Sequence, residues 1–278
     1  MKKINRRSFL AAAGLTAAAL ALTACGGSAS STASSTASSA ASSEAASTSA
    51  AAELTTVEAG KLTMATNAAF PPYEMTTDAG EFEGIDIDTA KAIAEKLGLE
   101  LQIDDMDFDA ALLSVQQGKA DIVMAGATVT DERKAVMDFS DSYATGIQSI
   151  IVPEGSDITS PDDLAGKKIG TQRGTTGYIY CSDDFGDDAV VAYDDGLTAV
   201  QALNNGQVDA VVIDNAPAKE FVAANPGLVI LDTSYAEEDY AIGLAKGSAL
   251  EDAVNAALEE LKADGTLQSI VDKYITAE

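Results

Sequence analysis

Histidine is absent from the 278 residues, and cysteine occurs only twice. Without histidine, the chain cannot form a Ser-His-Asp or Cys-His catalytic group and lacks the commonest zinc ligand. Basic residues are scarce, with 17 Lys and Arg against 44 Asp and Glu and a formal net charge of −27. Such a surface repels phosphate backbones and anionic bilayers, so we expect no nucleic-acid partner. We also expect no bound metal and no cofactor.

The first 24 residues have the pattern of an export signal. Four basic residues within the first seven positions precede an Ala- and Leu-rich run over residues 9–22, which is too short for a membrane-spanning helix. Leu-Thr-Ala-Cys at residues 22–25 is similar to a lipobox, in which Cys25 becomes the lipid-modified mature N-terminus. Residues 5–10 also resemble a twin-arginine signal, so both export routes remain open. With Cys25 lipidated, Cys181 is the only remaining thiol and no internal disulfide can form.

A low-complexity segment follows the predicted lipidation site. Residues 26–52 are almost entirely Ser, Ala, Thr and Gly, without the large apolar side chains that offset the entropy of ordering. We therefore expect residues 25–55 to form a flexible tether behind a lipid anchor. The globular part, from Thr56 to the end, has about 223 residues, which is enough for two lobes with separate cores.

Strand and helix patterns alternate through the globular part. Strand-like runs at residues 61–66, 99–103 and 121–125 are separated by helical patterns, and a second alternation occupies residues 160–231. This alternation predicts an α/β fold with mainly parallel sheets. The pattern of residues 112–123 recurs 88 residues later. It places Gly126 and Asp214 just past equivalent strand ends, where open α/β sheets bind ligands.

Residues 126–133, Gly-Ala-Thr-Val-Thr-Asp-Glu-Arg, indicate an anion site. Thr130 is a predicted helix N-cap, and Arg133 falls in the first turn, where the helix dipole disfavours a cation. Backbone N–H groups at a strand end, a threonine hydroxyl and a guanidinium together form a receptor for carboxylate or phosphate. The alternative is that Arg133 forms a surface ion pair with Asp131, Glu132 or Asp138.

Other candidate residues have ordinary structural interpretations. Asp214, before Asn-Ala-Pro, has the position of a helix N-cap, and Phe70 and Phe108 are typical of a hydrophobic core. Gly-Thr-Thr-Gly at residues 174–177 has too few glycines and no lysine for a phosphate loop, so we expect no nucleotide site.

Several stretches together resemble the polar amino-acid solute-binding family of ABC importers, the glutamine/lysine-arginine-ornithine/histidine-binding group. The similarity covers about residues 60–276, and it is carried by residues 65–74 (ATNAAFPPYE), 84–88 (GIDID), 126–133 with 138–140 (DFS), 163–168 (DLAGKK), 174–176 (GTT) and 264–266 (DGT). The resemblance implies a two-lobe "flytrap" fold. Lobe one would comprise residues 56–146 and 242–278 and lobe two residues 147–241, joined by two crossing strands.

By the same resemblance, the cleft would bind the two charged groups of a free amino acid. Arg133 would take the α-carboxylate, helped by the N–H groups of Thr128 and Thr176. Asp214, the Gly126 carbonyl and the Thr128 hydroxyl would take the α-ammonium.

The resemblance also implies how the ligand side chain is held. Phe70 and Phe108 would enclose it, and Asn67, Gln172 and Thr175 would select it. Family members that bind cationic side chains tend to carry Asp at the position of the neutral Asn67. The sequence therefore favours an uncharged polar ligand such as glutamine, with acidic or sulfur-containing amino acids as runners-up.

The predicted function is that of a lipid-anchored, monomeric binding protein outside the cytoplasm. It would capture an amino acid and deliver it to an ABC permease and its ATPase, without catalysis. Two alternatives remain from the sequence. One is a dehydratase-type enzyme on the same fold, with Asp214 as acid or base, and the other is a component of an amino-acid-sensing receptor.

Membrane attachment is predicted to depend on Cys25. A version in which a cleavable secretory signal replaces residues 1–55 should fractionate with soluble protein, because no spanning segment is predicted after Cys25. A Cys25→Ser variant should take up no lipid label, although its uncleaved signal can still hold it at the membrane. Retention of the version that begins at Thr56 in the membrane fraction would contradict the prediction.

Overall fold

The computed structural model describes residues 54–275. The predicted signal peptide (residues 1–24), Cys25 and the predicted tether up to residue 53 lie outside the described residues. The strands are β1 (Lys61–Thr66), β2 (Ala69–Phe70), β3 (Glu74–Thr76), β4 (Phe82–Glu83), β5 (Glu100–Asp105), β6 (Ile122–Val123), β7 (Met137–Phe139), β8 (Ala144–Pro153), β9 (Ile169–Gln172), β10 (Val190–Tyr193), β11 (Ala210–Asp214), β12 (Leu228–Ile230), β13 (Ala236–Tyr240) and β14 (Gly243–Ala245).

The α-helices alternate with these strands. They are α1 (Ile85–Leu97), α2 (Phe108–Gln116), α3 (Asp131–Val136), α4 (Thr176–Phe185), α5 (Gly196–Asn204), α6 (Asn215–Ala224), α7 (Glu251–Ala263) and α8 (Thr266–Tyr274). Within residues 54–275, none of the helices is long and apolar enough to cross a membrane.

Two larger sheets confirm the predicted α/β class. The first has the order β5-β1-β6-β14-β7, and the second has the order β10-β9-β11-β8-β12 with β13 also paired to β8. Three strands of each sheet are parallel, as predicted from the alternation with helices. The remaining pairings are antiparallel, so each sheet is mixed rather than mainly parallel. The antiparallel strands adjoin the chain segments that pass between the two sheets.

Helices cover both faces of each sheet. In β1, Leu62 and Met64 belong to a core with α1 and α7, whereas Ala65 belongs to a core with α2. In β11, Val211 packs with α5 and α6, and Val212 packs on the α4 side. Burial on both faces explains why residues 210–213 of β11 are a continuous apolar run in the sequence.

The chain connects the two sheets twice. It leaves the first sheet through residues 140–143, between β7 and β8, and returns through residues 241–242, between β13 and β14. The two links lie side by side, because Ser140 and Ile242 exchange two hydrogen bonds of 2.9 Å. Both ends of the described chain therefore lie on the side of the first sheet, where Leu54 and α8 pack in its core.

A small third sheet forms within residues 69–83. Ala69–Phe70 pairs with residues 74–75, and residues 75–76 pair in turn with Phe82–Glu83, so that β2, β3 and β4 are antiparallel neighbours. Pro71 and Pro72 lie in the turn between β2 and β3, where no ladder N–H is required. Prolines in the sequence marked the turn and concealed the short strands beside it.

Candidate ligand site

A cavity lies where the strand ends of the two sheets face each other. All ten residues predicted as ligand contacts line it. They are Asn67, Phe70, Phe108, Gly126, Thr128, Arg133, Gln172, Thr175, Thr176 and Asp214. Six residues to which the sequence assigned no role complete the lining: Glu74, Ala125, Gln148, Val212, Ile213 and Tyr240.

The Arg133 guanidinium is buried at the junction of the two sides. Nη1 donates to the Thr128 carbonyl at 2.7 Å, and Nη2 donates to the Gly174 carbonyl at 3.1 Å. The guanidinium carbon lies 5.3 Å from the centre of the Phe108 ring. Burial lowers the pKa of Arg133, because desolvation disfavours its charged form. Carbonyls supply only partial negative charge, so this cation is poised to accept an anion.

The helix start predicted at Thr130 is present, and the Thr130 cap places Arg133 in the first turn of α3. Thr130 Oγ1 accepts a hydrogen bond from the Arg133 backbone N–H at 3.1 Å, and α3 begins at the next residue. The alternative of a surface ion pair is excluded. Asp138 binds Lys246 instead, and none of the ion pairs within residues 54–275 includes Arg133.

The N-terminus of α4 faces the same part of the cavity. Thr175 caps this helix by accepting from the Tyr178 N–H at 3.3 Å, and Thr176 is its first residue. The hydroxyl oxygens of Thr176 and Thr128 are 3.5 Å apart. The dipole and free N–H groups at a helix start favour negative charge, as does the nearby Arg133. This end of the cavity is suited to a carboxylate.

Asp214 provides the opposite charge on the second sheet. Its Oδ1 accepts from the Ala216 N–H at 2.9 Å, and its Oδ2 accepts from the Ile147 N–H at 2.7 Å. The helix-cap interpretation is therefore correct, and the same side chain also lines the cavity. Burial raises the pKa of Asp214 to about 6, against the opposing effect of its hydrogen bonds from Ala216, Ile147 and Tyr240.

A buried carboxyl pair next to Gly126 escaped the sequence analysis. Asp86 Oδ2 accepts from the Gly126 N–H at 3.0 Å and from the Tyr143 hydroxyl at 2.8 Å. Neither oxygen of Glu74 has a hydrogen-bond partner among the described residues, and the same holds for Asp86 Oδ1. Burial and the Asp86 charge raise the pKa of Glu74 well above its usual value, and burial raises the pKa of Asp86 to about 6.

Polar and aromatic residues close the rest of the cavity. Gln172 Nε2 donates to Asn67 Oδ1 at 2.8 Å, which joins the two sides, and Asn67 Nδ2 donates to the Met106 carbonyl at 3.0 Å. Phe70 and Phe108 also pack in the hydrophobic cores, so their core interpretation is correct as well. Each therefore serves both packing and the cavity wall.

Tyr240 could have been found from the alternation in β13. Glu238 and Tyr240 are buried, whereas Glu237 and Asp239 between them are exposed, as expected for one face of a strand. The Tyr240 ring reaches Asp214 only because position 146 is glycine. A Cβ on Gly146 would lie 2.6 Å from the Tyr240 hydroxyl oxygen. Three consecutive acidic residues, from Glu237 to Asp239, hid this alternation in the sequence.

The raised pKa of Asp214 gives a prediction about stability. Its pKa is about 6 in the folded protein and about 3.9 in an unfolded chain, so the folded state binds more protons between these values. Stability is therefore lost as the pH rises through this window. The contribution of Asp214 to the free energy of unfolding should fall by about 2 kcal/mol between pH 4.5 and 7.5. Urea denaturation of Asp214→Asn should show a correspondingly smaller decrease than the wild type.

An exposed aspartate provides the control. Asp232→Asn removes the same charge from the surface of the second sheet and should keep the pH dependence of the wild type. Equal pH dependence in the wild type and Asp214→Asn would show that the Asp214 pKa is not raised by burial.

Comparison with known proteins agrees with this geometry. Residues 62–277 match the family of bacterial extracellular solute-binding proteins, family 3. The chain is 32% identical to a probable histidine-binding protein of Neisseria gonorrhoeae, over 99% of this chain and 98% of that protein. It is 33% identical to the arginine-binding extracellular protein ArtP of Bacillus subtilis, over 78% of this chain and 87% of that protein.

A solved structure has a similar backbone. It is an ancestral arginine-binding protein bound to glutamine, with a TM-score of 0.75 and 43% identity over 78% of this chain and 99% of that one. The family match spans most of the chain, and the two-sheet fold agrees with it. The chain belongs to the bacterial extracellular solute-binding proteins, family 3.

Proposed function

We propose that the protein is the extracytoplasmic binding component of an ABC importer and that it captures a free amino acid in the cavity. The observation that carries the proposal is the presence of Arg133 and Asp214 in the lining of one cavity. A buried cation beside a helix start and a buried carboxylate on the facing strand end suit the two charges of a zwitterion.

The two ends of the ligand have distinct receptors in this proposal. The α-carboxylate binds the Arg133 guanidinium and the start of α4 at Thr176, with the Thr128 N–H. The guanidinium has five N–H donors, of which two are used by carbonyls, so it can still bind a carboxylate. The α-ammonium binds Asp214, the Gly126 carbonyl and the Thr128 hydroxyl.

The lobe boundaries predicted from the sequence are also part of the proposal. The sheet membership of the strands supports residues 56–146 with 242–278 as lobe one and 147–241 as lobe two. Contacts between Arg133 and Gly174 and between Asn67 and Gln172 join the two sheets at the cavity. A ligand that binds both sides stabilises the closed arrangement, since its carboxylate meets donors from each.

Binding without catalysis is favoured by the surroundings of Asp214. The dehydratase-type alternative needs a carboxyl group free to transfer a proton. Both Asp214 oxygens accept backbone hydrogen bonds, which orient the side chain as a fixed acceptor. We further propose that lipid on Cys25 anchors a monomer, which delivers the amino acid to a permease and its ATPase.

Buried charge in the cavity favours a basic amino acid. Arg133 is its single cation, whereas Glu74 and Asp214 line it and Asp86 and Glu238 lie directly behind the lining. The α-groups of any amino acid add no net charge. A cationic side chain would offset the surplus of carboxyl groups and replace the proton held by Glu74.

This proposal departs from the expectation of a neutral ligand. That expectation rested on the neutral Asn67, whose amide oxygen accepts from Gln172. Glutamine remains the second candidate, and the proteins similar to this chain are named for histidine, arginine, cystine and glutamine.

Arginine and citrulline separate the two candidates. They have nearly the same shape, but the citrulline side chain is uncharged. Calorimetry should show at least about tenfold tighter binding of arginine, because a charge-assisted contact in a desolvated cavity is roughly twice as strong as a neutral one. Glu74→Gln should reduce this preference.

Glu81→Gln is the matched control, because Glu81 is exposed in the turn before β4. It should leave both affinities unchanged. Citrulline or glutamine binding as tightly as arginine would refute the basic ligand. Failure of the wild type to bind any free amino acid would refute the proposed function itself.

A further inference from the structure

We propose that Glu238 is a positioning residue of the amino-acid site, one that directs the lone pairs of the Thr128 hydroxyl to the ligand's α-ammonium. The inference rests on the proposed function, because it concerns how the ammonium is recognised. Glu238 lies on β13, beside the return link between the sheets, and is buried behind the cavity lining.

Glu238 bridges the two sides of the cavity. Its Oε2 accepts from the Thr128 hydroxyl at 3.0 Å and from Gln148 Nε2 at 3.0 Å. Thr128 follows β6 of the first sheet, whereas Gln148 belongs to β8 of the second. Both residues line the cavity. One carboxylate therefore fixes a polar side chain on each side of the ligand.

The hydrogen-bond chemistry of a carboxylate sets the direction of both bonds. An ionised carboxylate only accepts, so Thr128 must point its single hydroxyl proton at Glu238. Only lone pairs are then left on that hydroxyl for the cavity. For the same reason Gln148 turns its amide nitrogen to Glu238, and its amide oxygen lies beside Gly177 in the first turn of α4. A Thr128 hydroxyl that offers only lone pairs to the cavity suits an ammonium group.

Unsatisfied charge on Glu238 strengthens this effect. Its other oxygen, Oε1, is buried and has no hydrogen-bond partner among the described residues. The carboxylate also counters the buried Arg133 and opposes the lowering of the Arg133 pKa by desolvation. The negative charge on Oε1 therefore acts on the adjacent part of the cavity, where the ammonium would bind.

The same face of β13 supports the second ammonium acceptor. Tyr240, two residues after Glu238, hydrogen-bonds Asp214 through its hydroxyl. Glu238 orients the side chains of Thr128 and Gln148 by accepting their hydrogen bonds, and Tyr240 stabilises the Asp214 carboxylate. The return strand thus organises the ammonium receptor on both sides, and Glu238 is the charged part of that arrangement.

Ammonium selectivity tests the proposal. Calorimetry compares L-arginine with its deamino analogue, 5-guanidinopentanoate, and L-glutamine with 4-carbamoylbutanoate. Glu238→Gln should weaken binding of the amino acid at least about tenfold, since its amide can hydrogen-bond but carries no charge. Binding of the deamino analogue should change much less, because that ligand has no ammonium.

Glu237→Gln is the matched control, with the same chemical change one residue away on the exposed face of β13. It should bind all four ligands like the wild type. Wild-type affinity in Glu238→Gln, or an equal loss for the amino acid and its deamino analogue, would overturn the proposal. A wild type that binds no amino acid would instead refute the proposed function.

A second variant covers the case in which Glu238→Gln does not fold, as judged by thermal melting. Thr128→Val keeps the side-chain shape and removes the hydroxyl that Glu238 orients. It should show the same selective loss for the amino acid. Where both single variants fold, their double variant should lose much less than the sum of the two, because the two residues act through one contact. Additive losses of binding free energy would contradict the proposal that Glu238 affects the ligand through Thr128.

Discussion

The buried guanidinium of Arg133 is the constraint on which the rest of the cavity depends. It is held by the carbonyls of Thr128 and Gly174, one from each side, so it both joins the two halves and remains short of negative charge. A desolvated cation is expensive unless it is paired, and the carbonyls pair it only in part. Binding an anionic group at this point therefore stabilises the contact between the halves. Ligand capture and closure become one event in this account.

The carboxyl groups around the cavity create the complementary constraint. Glu74, Asp86 and Asp214 are buried with too little positive charge nearby, and burial raises the pKa of each above its ordinary value. In the empty protein, protons offset part of this excess. A ligand that carries positive charge can take their place. The same charge distribution thus distinguishes the two ends of an amino acid and favours a cationic side chain.

Much of this arrangement could be predicted from the sequence, for identifiable reasons. The alternation of strands and helices predicts the α/β class, and the cap at Thr130 places Arg133 in the first helical turn. The antiparallel pairing of strands was missed because pairing between segments far apart in the chain leaves no local pattern. Glu74 and Glu238 were missed because a buried carboxylate looks like any exposed one in the sequence. The need for glycine at position 146 could not be predicted, because only the folded structure shows the Tyr240 ring in contact with that position.

Recognition of a zwitterion is the central claim, and blocking each ligand charge in turn tests it most directly. The measurement is the affinity for arginine and glutamine, their N-acetyl forms and their methyl esters, in the wild type, Arg133→Lys and Asp214→Asn. The account predicts that each block weakens wild-type binding by at least about tenfold, and that the two variants lose most of their affinity for the free amino acid. Arg133→Lys should bind the free amino acid much more weakly although the positive charge is kept, because lysine lacks the planar guanidinium that binds a carboxylate through two N–H groups. Wild-type binding that falls by less than tenfold on blocking either end would contradict the account.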